Sequence, residues 1–145
     1  MKIWMLRASL AIPLFLASAC GDEDPEPTRD SLAIVGRYDD NFDEDEDVDH
    51  EITETTWTNG SSVYHIKSFD NQERWIIAQN DDDNEWNAGK FSRFDWVEKG
   101  SKLYYCQSAY DADDEAAAKA TDTSDPDDLE EGCGGAFAWT ELFKK

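Results

Sequence analysis

From Leu32 onward, apolar and polar residues alternate with a period of two, and turn-forming dipeptides interrupt the alternation roughly every ten residues, which argues for short antiparallel strands. Strands are predicted over residues 33–38, 50–58, 62–69, 74–79, 90–97 and 102–110, with a last one over 136–142. Within 50–58, Ile52, Glu54, Thr56 and Thr58 fall on one face and Thr53, Thr55 and Trp57 on the other. Asn59-Gly60 follows. This dipeptide accepts the positive φ angles of a type I′ turn, and the alternation on both sides makes it the strongest hairpin signal in the chain. Asp70-Asn71 and Lys99-Gly100 supply further turns, and a polar stretch, residues 80–89, separates two strands. Along 102–110, Leu103, Tyr105, Gln107 and Ala109 alternate with Tyr104, Cys106 and Ser108. The one helical candidate, residues 112–121, opens among Asp111, Asp113 and Asp114, which suit its free N–H groups and the positive end of its dipole, and continues through three alanines. The fold expected is all-β: a single antiparallel meander of six or seven strands, forming a small barrel or sandwich with one short helix.

The first residues follow a different logic. Lys2 and Arg7 precede an uncharged, mostly apolar stretch, residues 8–18, too short for a membrane-spanning helix, which needs about 20 residues, and suited to the h-region of a signal peptide. It ends in Ala17-Ser18-Ala19-Cys20, which resembles the bacterial lipobox. That resemblance implies removal of residues 1–19, fatty acylation of Cys20 (palmitate-type chains) and attachment to an envelope membrane. The chain departs from the family pattern in having Ala17 where leucine is commonest, with Leu16 one position early. Ala-x-Ala also satisfies ordinary signal peptidase, which would release the chain unlipidated. Gly21, in place of the aspartate that favours inner-membrane retention in such lipoproteins, points to the outer membrane. Residues 20–31 then form the lipidated end and an acidic tether with two prolines and no apolar residue, and 32–145 the globular domain.

Cysteine parity agrees with the lipoprotein expectation. The chain holds three cysteines, Cys20, Cys106 and Cys133; if lipid consumes Cys20, the other two are free to form a disulfide in an oxidising compartment. Their spacing is not C-x-x-C and neither has a histidine nearby in sequence, so a structural bridge is the expected role.

Charge narrows the partners. The full chain carries 34 Asp and Glu against 13 Lys and Arg; loss of residues 1–19 removes two of the bases and no acid, taking the formal charge from −21 to −23. Such a surface repels nucleic acid. Aromatic residues remain abundant after Leu32, more than a disordered acidic segment would carry, so the charge covers a folded body. Nine acids crowd residues 39–51, and a second cluster spans 80–85. Asp43, Asp45 and Asp47 in the first, and Asp81, Asp83 and Glu85 in the second, are candidate ligands for calcium, which takes six to eight oxygens in irregular geometry. Solvated acidic loops with no ion are the plainer reading. Trp86 stands where an EF-hand has its turn glycine; an indole in so polar a loop is a candidate contact residue.

No catalytic constellation emerges. His50 and His65 have no metal or triad spacing, and each is expected on a strand surface; a G-x-S-x-G elbow and a phosphate-binding glycine loop are both missing. The Gly36-x-Tyr38 strand opening the meander, with a closing strand after a helix, resembles small lipocalin-like barrels, whose usual motif is G-x-W. SRFDW followed by LYYCQ resembles small exported bacterial modules of unassigned activity. The expected function is a non-enzymatic binding or structural envelope lipoprotein, needing no cofactor. The rivals are a small-ligand carrier with an aromatic-lined cavity and a calcium-dependent adhesion module.

Overall fold

The computed structural model describes residues 30–40 and 49–145. Among them, eight strands run in chain order around a closed antiparallel barrel: β1 (Gly36–Asp40), β2 (Asp49–Ile52), β3 (Thr56–Asn59), β4 (Ser62–Asp70), β5 (Trp75–Asn80), β6 (Phe91–Lys99), β7 (Lys102–Ala112) and β8 (Thr140–Lys144). Tyr38 pairs with Lys144 and Asp40 with Leu142, so β8 closes onto β1. The meander is therefore a barrel, not a sandwich, and it has one strand more than the upper expectation. The short helix α1 (Glu115–Ala120) lies between β7 and β8.

The additional strand comes from residues 50–58, which fold as two strands. The Thr53 hydroxyl accepts from the Thr55 and Thr56 amides, and the Thr53 amide donates to the Thr56 carbonyl at 2.8 Å. A hydroxyl offering the backbone a local partner is what lets threonine interrupt a ladder. The turn changes the facing of the side chains: one continuous strand would put Ile52 and Trp57 on opposite faces, whereas both are buried in the same core. The next hairpin forms where expected, but Asn59 pairs with Ser62, so the turn residues are Gly60-Ser61. Only Gly60 has positive φ (55°), which excludes type I′. The β6–β7 hairpin uses the same device: Lys99 pairs with Lys102 around Gly100-Ser101, with Gly100 at φ 65°.

Residues 33–35 are not strand. They form a lead-in turn that places Leu32 and Ile34 in the core at one barrel end. The helix is shorter than 112–121, capped by the Asp114 side chain accepting from the Ala117 amide. Residues 136–139 fall outside the last strand because Gly134 and Gly135 adopt positive φ and the Phe137 amide turns back onto the Cys133 carbonyl at 2.9 Å.

The barrel interior is filled with side chains. Trp57 stacks on Phe94 (centroids 4.5 Å apart) and meets Tyr105 at 5.2 Å, while Tyr64 packs edge-on to Phe94 at 5.0 Å. Tyr38, Ile52, Ile76, Trp96 and Leu142 complete this core. A bulge between Ile66 and Ser68 shifts the parity of β4, so that Phe69 faces the core along with Tyr64 and Ile66. Burial raises the phenol pKa of both Tyr38 and Tyr105 above the usual 10, further for Tyr105, where the Asp40 charge adds to the effect.

Outside the barrel, residues 113–139 cover β5–β7. Ala118 of α1 packs on Trp75 and Ile77, and Cys133 and Trp139 on Val97 and Cys106. The Cys106–Cys133 disulfide, Cα–Cα 5.5 Å, fastens this cover to β7, as cysteine parity anticipated. Beneath it, Arg93 and Asp95 are a buried pair: the guanidinium donates to both Asp95 oxygens (3.0 and 2.8 Å to Oδ1) and to the Lys119 carbonyl at 2.7 Å, while Ser108 donates to Asp95 at 2.5 Å. Burial still pushes the Asp95 carboxyl above its ordinary range, against the pull of Arg93 and Ser108.

Two measurements check this account. Reducing the disulfide, whose cysteines are 27 residues apart, should destabilise the domain by about 3 to 4 kcal/mol on the chain-entropy model; urea midpoints that coincide with and without reductant would rule this out. The tyrosines give the second. A phenol whose folded pKa is raised contributes stability that is intact below pH 10 and is lost as pH rises toward the folded value. The melting temperature should therefore fall steeply above about pH 10, and Tyr105→Phe should flatten that slope; a wild-type melting temperature unchanged from pH 9 to 11.5 refutes the assignment.

Candidate functional site

The two barrel ends differ. One, here the turn end, takes the incoming chain at residues 30–35 together with the short turns at 53–55, 71–74 and 100–101. The Ser31 hydroxyl and Leu32 amide donate to Glu54, and Asn71 both accepts from the Ala33 amide and donates to the Ser31 carbonyl, tying the lead-in to two of those turns. At the opposite, loop end the chain leaves β1 and enters β2, turns at Gly60-Ser61, crosses from β5 to β6 through residues 81–90, and leaves β7 after Ala112.

The 81–90 loop is held by its asparagines. Asn80, buried at the end of β5, donates through Nδ2 to the Asn87 carbonyl at 2.8 Å and the Tyr110 carbonyl at 3.0 Å, and accepts from Ser92 at 2.6 Å. Asn84 reads both backbone groups of Val63, accepting from its amide and donating to its carbonyl, each at 2.8 Å. The Asp83 amide donates to Asp81, and Asn87 takes the left-handed conformation (φ 53°) that asparagine tolerates better than most residues. The consequence is a fixed loop bearing Trp86, 74% exposed, at the same barrel end as Tyr110, 57% exposed, whose carbonyl shares the Asn80 amide with the loop. Trp86, expected as a contact residue, is exposed on a loop whose backbone the side chains of Asn80 and Asn84 hold in place.

Among the described residues, the expected calcium ligands Asp81, Asp83 and Glu85 are not gathered around a common point. Asp81 spends one oxygen on the Asp83 amide and the other on His65 Nε2 at 2.6 Å, which together hold its carboxyl below the usual range, the backbone bond contributing most. Among the described residues no three acids, histidines or cysteines converge in an arrangement that could hold a metal. Asp43, Asp45 and Asp47 lie outside the described residues, as does Cys20.

The histidines part company. His65 is partly exposed on β4, close to the strand-surface expectation. His50 overturns that expectation: its side chain has no solvent exposure. It faces the core because Ile52, two residues on, must face it too, and it sits against the Tyr105 ring, centroids 5.3 Å apart. Nδ1 lies 3.1 Å from Trp57 Nε1, and an indole N–H can only donate, so Nδ1 accepts. The neutral ring therefore carries its proton on Nε2 and donates it to Asp40 Oδ2 at 2.8 Å. This buried Asp40–His50–Trp57 chain satisfies polar groups inside the barrel. A shallow pocket of about 200 Å³ lies on the outer side, between Arg37, Glu51 and Lys145. A crevice of about 450 Å³ opens at the rim of the turn end between Val35, Leu103 and Phe143.

Compared with protein-family profiles, characterised proteins and solved structures, the chain shows no significant match to any.

His50→Leu should cost about 3 kcal/mol, because it removes a hydrogen-bond partner from a buried carboxylate and from a buried indole N–H together. His65→Leu, on a partly exposed ion pair, should change stability by less than about 1 kcal/mol. Urea denaturation of the two variants checks the contrast, and equal losses would show that the buried chain carries no special weight.

Proposed function

We propose that this chain is an envelope lipoprotein, anchored through an acylated Cys20 at the outer membrane, whose barrel is a non-enzymatic binding module presenting its loop end away from the bilayer. The observation that carries the reading is the opposition of the two ends: the chain following Cys20 enters at the turn end, and the pinned loop with exposed Trp86 occupies the other. A tether arriving at one end leaves the far end as the natural contact face. The filled interior favours this over the lipocalin-like carrier. Lumenal carriage needs a cavity of several hundred Å³, and here the axis is occupied by Trp57, Phe94, Tyr105 and His50.

The anchoring half is tested by expressing the full-length chain in a Gram-negative host and measuring the intact mass of the membrane-extracted protein. The expected species begins at Cys20, exceeds its polypeptide mass by a diacylglyceryl and an acyl group, and is two hydrogens lighter for the disulfide, while Cys20→Ser abolishes membrane retention. A soluble chain with an unmodified thiol at its first residue, or one keeping residues 1–19, refutes the reading.

A further inference from the structure

We propose that the loop-end face around Trp86 and Tyr110 docks a cationic peptide segment of a partner protein, with Lys or Arg side chains lying over these rings while the flanking carboxylates balance their charge. The proposal rests on the reading of the barrel as a binding module and needs no lipid.

Five tryptophans follow Leu32, and four of them, Trp57, Trp75, Trp96 and Trp139, are between 0% and 8% exposed, against 74% for Trp86. An indole that exposed gains nothing in the isolated barrel. Yet its loop is fixed by the Asn80 and Asn84 hydrogen bonds on both sides of it, so the conformational entropy of ordering a contact residue is already spent before a partner arrives. Aromatic rings held rigid and exposed are the side chains that dominate protein contacts.

Charge selects the partner. Asp82, Asp83 and Glu85 are exposed in the same loop as Trp86 and Asp111 is exposed next to Tyr110 in the chain, while Lys90 of that loop is committed to Asp113 at 2.6 Å and His65 to Asp81 at 2.6 Å. An anionic partner is repelled, and a neutral sugar, though its hydroxyls can donate to carboxylates, gains nothing from their net charge. A guanidinium or ammonium gains from both ring and charge, since the face of an aromatic ring attracts cations most strongly where carboxylates surround it. The barrel uses this chemistry on itself: Lys119 lies over Trp75 at 4.4 Å and Arg74 over Trp96 at 5.6 Å. Among the described residues no cation lies over Trp86, whose ring is open to one from outside.

The test uses the protein purified from whichever cell fraction holds it, so the outcome is independent of acylation. Fluorescein-labelled octa-arginine is titrated at physiological salt and followed by anisotropy. The expected result is saturable binding that weakens about tenfold in Trp86→Ala, severalfold in Tyr110→Ala and about tenfold in the Asp82→Asn, Asp83→Asn, Glu85→Gln triple variant. Removing three charges at the turn end, Glu73→Gln, Glu98→Gln and Glu130→Gln, should change the affinity less than about twofold. The proposal is overturned if no binding occurs, if Trp86→Ala binds as wild type, or if the turn-end triple loses as much as the loop-end triple, which would mean generic attraction to a polyanion. Saturable quenching of Trp86 emission by cellohexaose without a response to octa-arginine would reassign the face to carbohydrate. Because anchoring is read separately by mass, failure here leaves the Cys20 proposal standing, and the reverse holds as well.

Discussion

A fully buried histidine constrains everything around it. His50 can sit inside the barrel only as the tautomer that accepts from Trp57 and donates to Asp40, and that needs three inward-facing residues on three adjacent strands. The pairing of Tyr38 with His50 sets the β1–β2 register that brings Asp40 into reach, and the Thr53 turn sets the facing of Trp57. A one-residue slip anywhere would leave a polar group unmet in an apolar interior, at a cost of about 1 to 3 kcal/mol for each such group. The hydrogen-bonded chain thus specifies register, while the stacked rings of Trp57, Phe94 and Tyr105 provide the apolar burial that holds the strands together.

A chain with so large an excess of acid folds because almost all of it stays in water. Among the described residues only two carboxylates are buried, Asp40 and Asp95, and each has a named partner, His50 in one case and Arg93 with Ser108 in the other. The other described acids are exposed or half-buried, where their mutual repulsion is screened within about 10 Å at ordinary ionic strength. Against that diffuse penalty stand barrel closure, which leaves no strand edge unpaired, and the disulfide, which keeps the cover from lifting off β7. The Arg93–Asp95 pair adds specificity more than strength, since burial works against its carboxylate even with the guanidinium in place.

The legible part of the fold was what period two and cysteine parity encode. Strand order, the alternation that separates Leu103, Tyr105 and Gln107 from Tyr104, Cys106 and Ser108, and the disulfide all follow from them. What escaped were single-residue events. Nothing in ITETTW marks Thr53 as a turn and not a strand residue, because its effect depends on a hydroxyl reaching two amides. The Gly60-Ser61 turn was masked by Asn59, whose presence before Gly60 mimics the commoner type I′ pair. Burial of His50 was not legible because its partner Asp40 is one of nine acids in a run, and only the register shows which acid turns inward. At the loop end, Trp86 stood out because an indole in NDDDNEWN is out of place, but Tyr110 belongs to a distant strand and joins it only through the Asn80 amide.

A closed barrel also restricts where recognition can occur. Strand addition at an edge is unavailable when β8 returns to β1, the axis is occupied, and the outer face of β5–β7 is sealed by residues 113–139. What remains are the outer face of β1–β4 and the two ends. Of these, the turn end is partly closed by Leu32 and Ile34 and carries the entering chain, whereas the loop end holds exposed Trp86 on a loop fixed by the same asparagine that finishes β5. Because Asn80 is at once a core residue, a strand terminus and the anchor of that loop, the contact face inherits the rigidity of the barrel and does not have to be ordered on binding. The acidity that discourages most partners then becomes selective at this one place, where rings and carboxylates coincide.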